Sequence, residues 1–172
     1  MKKTLFIPLI IFLGILQPLS ASKVVNGEVN LNQRFFEDED EIKLDGKWRF
    51  YWKQLIDPTA PMDFSKRPVL VDILKPWSEL RTEKDNYHAK GYASYELDIF
   101  SVVETDKLAL RVPEFYSSYN LYLNGELISE NGIVADNISD SKPNWLPKVR
   151  AIMLNKGHNR LVLQVSNFHH HK

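Results

Sequence analysis

Gly91-Tyr92-Ala93-Ser94-Tyr95-Glu96-Leu97-Asp98-Ile99 sets apolar side chains at Ala93, Tyr95, Leu97 and Ile99 against polar ones at Ser94, Glu96 and Asp98. A period of two belongs to a strand, because successive side chains of an extended backbone point to opposite faces. Working outward, the same alternation returns in Leu108-Leu110-Val112 against Ala109-Arg111, in Tyr119-Leu121-Leu123 against Asn120-Tyr122, and in Leu161-Leu163-Val165 against Arg160-Gln164. Each strand is expected to have one buried and one wet face. Strands joined by turn signals, with almost no helical period between them, predict an all-β fold: two sheets packed as a β-sandwich or jelly roll.

The turns support this layout. Asn124-Gly125 lies inside Tyr119-Asn120-Leu121-Tyr122-Leu123-Asn124-Gly125-Glu126-Leu127-Ile128-Ser129 and supplies the positive φ angles of a two-residue type I′ hairpin. Asn131-Gly132 is a second turn, opening a long irregular stretch from Ala135 to Pro147, and Asn155 to Asn159 joins the last two strands. Further upstream, Trp48, Phe50 and Trp52 share one face of an aromatic strand, with Arg49 and Tyr51 on the other. Lys53 to Ala60 is expected to form a short helical turn, Pro68 to Ile73 a brief buried-type strand, and Lys23 to Asn32 a polar lead-in.

The chain has 172 residues, 44% of them hydrophobic, which is enough for one domain with its own core. Residues 1–22 read as a secretory signal peptide: Met1-Lys2-Lys3, an apolar run from Leu5 to Leu16, then small residues from Leu19 to Ser22. Residues 23–172 are then a single ligand-binding domain, exported to the periplasm or the exterior and with no membrane span after cleavage. Removal of Lys2 and Lys3 leaves 20 basic against 22 acidic residues, so nucleic acid is not an expected partner. The absence of cysteine excludes disulfides, thiolate zinc sites and cysteine nucleophiles.

Catalytic and metal signatures are sparse. No Gly-x-Ser-x-Gly elbow occurs. Glu96 and Asp98 alternate on a strand face, so no carboxylate pair on opposed elements can be nominated. His88 and His158 read as isolated loop residues, and His169-His170-His171 is terminal and contiguous, so no metal ligands are assigned. The run Glu37-Asp38-Glu39-Asp40-Glu41 reads as a solvated loop without the spaced pattern of a calcium loop. No catalytic residue and no cofactor is expected.

Aromatic residues, at 12%, are the chemistry the chain does offer. Flat rings stack on the C–H faces of sugars while nearby amides and guanidiniums bond the hydroxyls. Trp77, Tyr92, Tyr116 and Trp145 fall in loops or at strand starts, and Asn131 sits at the second turn; these five are the candidate ligand-binding residues. Trp48 and Trp52 read as core.

Two resemblances follow from the ordered motifs. Leu44-Asp45-Gly46-Lys47-Trp48-Arg49-Phe50, Gly91 to Leu97, the Tyr119 to Leu127 hairpin and Asn159 to Asn167 resemble, in that order, the N-terminal sugar-binding jelly roll of β-galactosidase-type glycoside hydrolases. Tyr51-Trp52, Gly91 to Tyr95, Ser117-Ser118-Tyr119, Asn124-Gly125, Glu130-Asn131-Gly132 and Ser166-Asn167-Phe168-His169 more closely resemble the extracellular sensor domain of bacterial seven-transmembrane receptors with diverse intracellular signalling modules. The resemblance implies a galactose-binding-like jelly roll that binds a carbohydrate or other small polar ligand without cleaving it, with a membrane signalling protein as a further partner. Lys172 follows directly on the final strand, so the expectation is a stand-alone relative or a fragment of a receptor. The alternatives are a structural or protein-interaction module of the bacterial envelope and, more remotely, a small hydrolase.

Overall fold

The computed structural model describes residues 23–37, 41–63, 65, 68–80, 87–112, 117–144 and 148–170. The proposed leader, the centre of the acidic run, Tyr116 and Trp145 lie outside the described residues. The elements are β1 (Glu28–Leu31), α1 (Gln33–Glu37), β2 (Lys47–Trp52), β3 (Val69–Asp72), β4 (Gly91–Ser101), β5 (Thr105–Val112), β6 (Ser118–Leu123), β7 (Glu126–Asn131), β8 (Lys148–Leu154) and β9 (Gly157–Asn167). They form a two-sheet β-sandwich of the jelly-roll kind. One sheet has seven strands in the order β3-β2-β4-β9-β6-β7, with β1 also paired to β4; the other is the antiparallel pair β5-β8.

The eleven-residue strands β4 and β9 pair antiparallel along their whole length, from Gly91↔Asn167 to Ser101↔Gly157. They are the spine. One side of β4 is shared by two partners: β2 covers Ala93 to Glu96, and β1 runs parallel along Asp98 to Ser101. β1 was hidden in the polar lead-in because Glu28-Val29-Asn30-Leu31 offers only two apolar positions, yet Val29 and Leu31 are both buried. α1 is capped by the Asn32 carboxamide oxygen, which accepts the Phe35 N–H at 3.1 Å.

The core lies between the sheets. Phe50, Tyr95, Leu97, Tyr119, Leu121, Leu161 and Leu163 from the large sheet meet Val112 and Leu154 from the small one, with Leu108, Leu110 and Ile152 packed against them. The alternation from Ala93 to Val165 therefore points inward as expected. The hairpin turn also takes the expected form, with φ of 52° at Asn124 and 87° at Gly125. Its neighbour is tied to it: the buried Asn159 Oδ1 accepts from Asn124 Nδ2 at 2.9 Å and from the Asn155 N–H at 2.8 Å.

Two expectations need correction. The polar face of the central strands is not wet: Ser94 and Glu96 are completely buried and Asp98 nearly so. The reason is a strap, residues 53–60, which lies over that face as extended chain and bends and not as a helical turn. It is laced down through its backbone. The Ile56 N–H donates to Ser94 Oγ at 3.0 Å, Ser94 Oγ donates to the Gln54 carbonyl at 2.8 Å, and Gln164 Nε2 donates to the Ile56 carbonyl at 2.9 Å. Ile56 also packs with Tyr51 and Val162 in a second, smaller apolar cluster.

Candidate functional site

Two features stand out, one on each side of the large sheet: a polar network and a mainly apolar cleft. Under the strap, β2, β4 and β9 place Arg49, Tyr51, Glu96, Asp98, His158 and Arg160 on one face. Register brings Arg49 opposite Glu96 and Arg160 opposite Asp98. Glu96 Oε2 accepts from Arg49 Nε at 3.3 Å and from the Tyr51 hydroxyl at 2.5 Å, while its Oε1 accepts from Arg160 Nε at 2.5 Å. Asp98 pairs with Arg49 through one oxygen and with His158 Nε2 through the other, at 2.8 Å.

The two acidic residues that could not be assigned as a pair are therefore neighbours in one ion network, and His158 belongs to β9 and not to a loop. The network does not resemble a reaction centre. The Glu96 side chain has no exposure, and both of its oxygens are saturated by donors. Burial, reinforced by the hydrogen bond to Glu96, pushes the Tyr51 phenol well above its usual range, so it stays protonated as a donor. This arrangement locks three strands and the strap together: Arg160 reaches past Glu96 to the carbonyls of Pro58 and Ala60.

The other side holds a cleft of about 200 Å³ at one end of the sandwich. Chain reversal after β3 builds its rim from Leu74 and Lys75. Pro76 then starts a 3-10 turn over Trp77–Glu79, closed by the Leu80 N–H donating to the Trp77 carbonyl at 3.0 Å. Ile73, Pro76 and Val165 supply apolar wall, and Trp77 and Tyr95 the floor. Ser117 and Asn167 complete the lining from the start of β6 and the end of β9. The Trp77 indole N–H donates to the Tyr95 hydroxyl at 2.6 Å. Burial raises the Tyr95 phenol above the usual tyrosine range.

The expected site residues are divided by this geometry. Trp77 lines the cleft but is mostly buried, with its ring 5.1 Å from that of Trp52 in an edge-on contact. Tyr92, half-buried, pairs with Ser166 on the opposite face of β4 from Ala93 and Tyr95, so it does not join Trp77. Asn131 is buried and its Nδ2 is engaged, donating to the Ser117 carbonyl at 3.3 Å and the Asn144 carbonyl at 2.6 Å. As a brace, it ties the residue before β6 to the long loop. Tyr116 and Trp145 lie outside the described residues. Lys75, Ser117 and Tyr95 were missed. The first two belong to stretches without periodicity, and Tyr95 reads as core by parity, which it also is.

The same brace depends on Gly132, at φ 69°. A Cβ there would overlap the Lys142 carbonyl oxygen, which already accepts the Ile133 N–H at 2.8 Å. Gly132→Ala is expected to lose about 2 kcal/mol or more, since both φ and space oppose a side chain. Urea unfolding checks this; a loss below about 0.5 kcal/mol would show that the loop relaxes freely.

Among the described residues, no three His, Asp, Glu or Cys side chains converge on a possible metal position, and no helix is long and apolar enough to cross a membrane. No family model matches the sequence, and no curated protein matches it. Solved structures do share the fold. The Faecalibacterium prausnitzii β-glucuronidase superposes on 73% of this chain with a TM-score of 0.53 at 16% identity. The Bifidobacterium dentium β-glucuronidase complexed with coumarin-3-O-glucuronide superposes on 72% with a TM-score of 0.51 at 18% identity. The match spans 20% and 19% of those two chains.

Proposed function

We propose that this chain is a non-catalytic, exported ligand-binding domain of sensor type, whose cleft beside Trp77 takes a carbohydrate or another small polar ligand. The observation that carries the reading is the cleft itself: an aromatic floor, apolar walls and a few polar groups, the usual make-up of a small-molecule site. Its volume, about 200 Å³, falls below the roughly 300–1,000 Å³ of drug-sized sites. That suits one sugar ring and no more. A sandwich shared with β-glucuronidases supports the ligand class, and the motif resemblance to receptor sensor domains, which rests on the sequence alone, suggests the setting. Binding would act by shifting an equilibrium with a membrane signalling partner, because only a ligand that prefers one state can signal.

The test is a sugar screen followed by calorimetry on the folded domain and on Trp77→Phe, which removes the indole without emptying the core. Affinity is expected to fall about tenfold, the loss of roughly 1.4 kcal/mol of ring contact and donor geometry. Near-ultraviolet circular dichroism would verify the fold. Unchanged affinity would remove this cleft as the site.

One observation favours a second reading, a protein-interaction module. The outward face of β5-β8 carries Val149 and Met153, 63% and 58% exposed, beside the facing pair Ala109 and Ala151. Exposed apolar surface of this kind marks protein contacts when it forms a continuous patch. Failure of every sugar to bind would move the assignment there.

A further inference from the structure

The cleft is asymmetric in its hydrogen-bonding chemistry. Tyr95 lies at its floor, 4% exposed, and its hydroxyl oxygen accepts the Trp77 indole N–H. Its own proton has no acceptor among the described residues. A hydroxyl that already accepts a hydrogen bond is polarised to donate a stronger one. At the rim, Lys75 is the sole charged side chain lining the cleft among the described residues. Asp72, three residues earlier, does not neutralise it: its Oδ1 accepts the Leu74 N–H at 3.1 Å, and no ion pair joins it to Lys75. Asn167 is turned to internal duty, donating to the Ala89 carbonyl at 2.9 Å and accepting from the His170 N–H at 3.1 Å.

The cleft thus presents a buried O–H donor and an unpaired cation, with the Ser117 hydroxyl able to donate or accept and no acidic side chain among its described lining residues. A neutral sugar needs both donors and acceptors around its hydroxyls. A carboxylate needs only donors and positive charge.

We infer that the cleft recognises the carboxylate of a small acidic ligand, in a sugar context a uronic acid, with Tyr95 Oη donating at the floor and Lys75 Nζ pairing at the rim. The inference rests on the cleft being the ligand site, as proposed above. The apolar walls Ile73, Pro76 and Val165 take the non-ionic part of the ligand. Leu74, 69% exposed at the rim, gains cover when that part is bound.

The experiment titrates the folded domain with glucose, galactose and mannose, with their uronates, and with propionate as a carboxylate lacking a ring. The readout is the Trp77 indole N–H resonance, assigned by its loss in Trp77→Phe. Uronates are expected to bind about tenfold more tightly than the parent hexoses, the worth of one charge-assisted hydrogen bond. Lys75→Gln should erase that preference and Lys75→Arg should keep it. Tyr95→Phe should weaken uronate binding; since it also strands the Trp77 N–H, the exposed Lys75 variants carry the decision.

Hexoses and uronates binding equally, with no response to Lys75→Gln, would overturn the inference and leave sugar binding intact. Propionate matching the uronates would keep the carboxylate site and remove the sugar. Silence of the Trp77 resonance towards every probe would overturn both.

Discussion

Glu96→Gln is expected to destabilise the fold by about 3–5 kcal/mol, the usual loss on breaking a buried ion pair from one side. The substitution keeps the shape and removes only a charge and an acceptor. Oε2 accepts from Arg49 and Tyr51, and Oε1 from Arg160, so an amide in either orientation sets an N–H₂ against an N–H or O–H donor. The Arg49 and Arg160 side chains, 12% and 13% exposed, would then share the single charge of Asp98. Little water can reach them as compensation.

Urea unfolding of both proteins at neutral pH measures the difference. A loss below about 1 kcal/mol would mean that the network behaves as a surface pair and does not latch the strap. A companion variant, Glu96→Leu with Arg160→Met, should recover part of the loss by removing both charges together. Unfolding should also begin at the strap. Arg160 is the one member of the network bonded to Pro58 and Ala60, so amides near Ile56 are expected to exchange faster in the single variant.

That network shows where sequence reasoning stops. Parity placed Ala93, Tyr95, Leu97 and Ile99 in the core, and Asn124-Gly125 in a tight hairpin, because both signals are local: a period of two and a pair of residues tolerant of positive φ. The same parity put Ser94, Glu96 and Asp98 in water. Their burial depends on partners far along the chain, Arg49 lying 47 residues before Glu96 and Arg160 64 residues after it. A charged strand face reads as solvated until something neutralises and covers it.

The site was legible to a similar degree. Trp77 stood out as an aromatic residue in a loop, and the structure does set it against a cleft. Tyr92 has the same residue-level appeal but faces the other side of β4, a matter of strand parity relative to a loop whose path no local pattern reveals. Tyr95, read as core, turns out to supply both core packing and the cleft floor.

Phe50→Ala is the second large effect, and it ties the core to the cleft. Phe50 is 1% exposed, and its ring lies 4.9 Å from Tyr95, 5.3 Å from Tyr87, 6.0 Å from Trp52 and 6.4 Å from Trp77. Removing it leaves a void among rings too large to rotate into it, so the expected loss is about 3–5 kcal/mol, transfer and cavity together. Phe50→Leu fills most of that space and should lose about 1–2 kcal/mol. Leu127→Ala, at a position 50% exposed, should stay within about 0.5 kcal/mol and serves as the control. Calorimetric melting of the three variants orders them; equal losses for Phe50→Ala and Leu127→Ala would sink the claim that this aromatic group is the mechanical centre of the sandwich.

Because Phe50 backs both Trp77 and Tyr95, the Leu variant carries a further consequence. It should fold and yet weaken ligand binding, since the Trp77-to-Tyr95 hydrogen bond that forms the cleft floor loses the ring holding its two partners in line. Affinity falling in Phe50→Leu but not in Leu127→Ala would place the origin of the site's geometry in the core beneath it. Affinity unchanged in both would mean that the 3-10 turn after Pro76 holds the floor unaided.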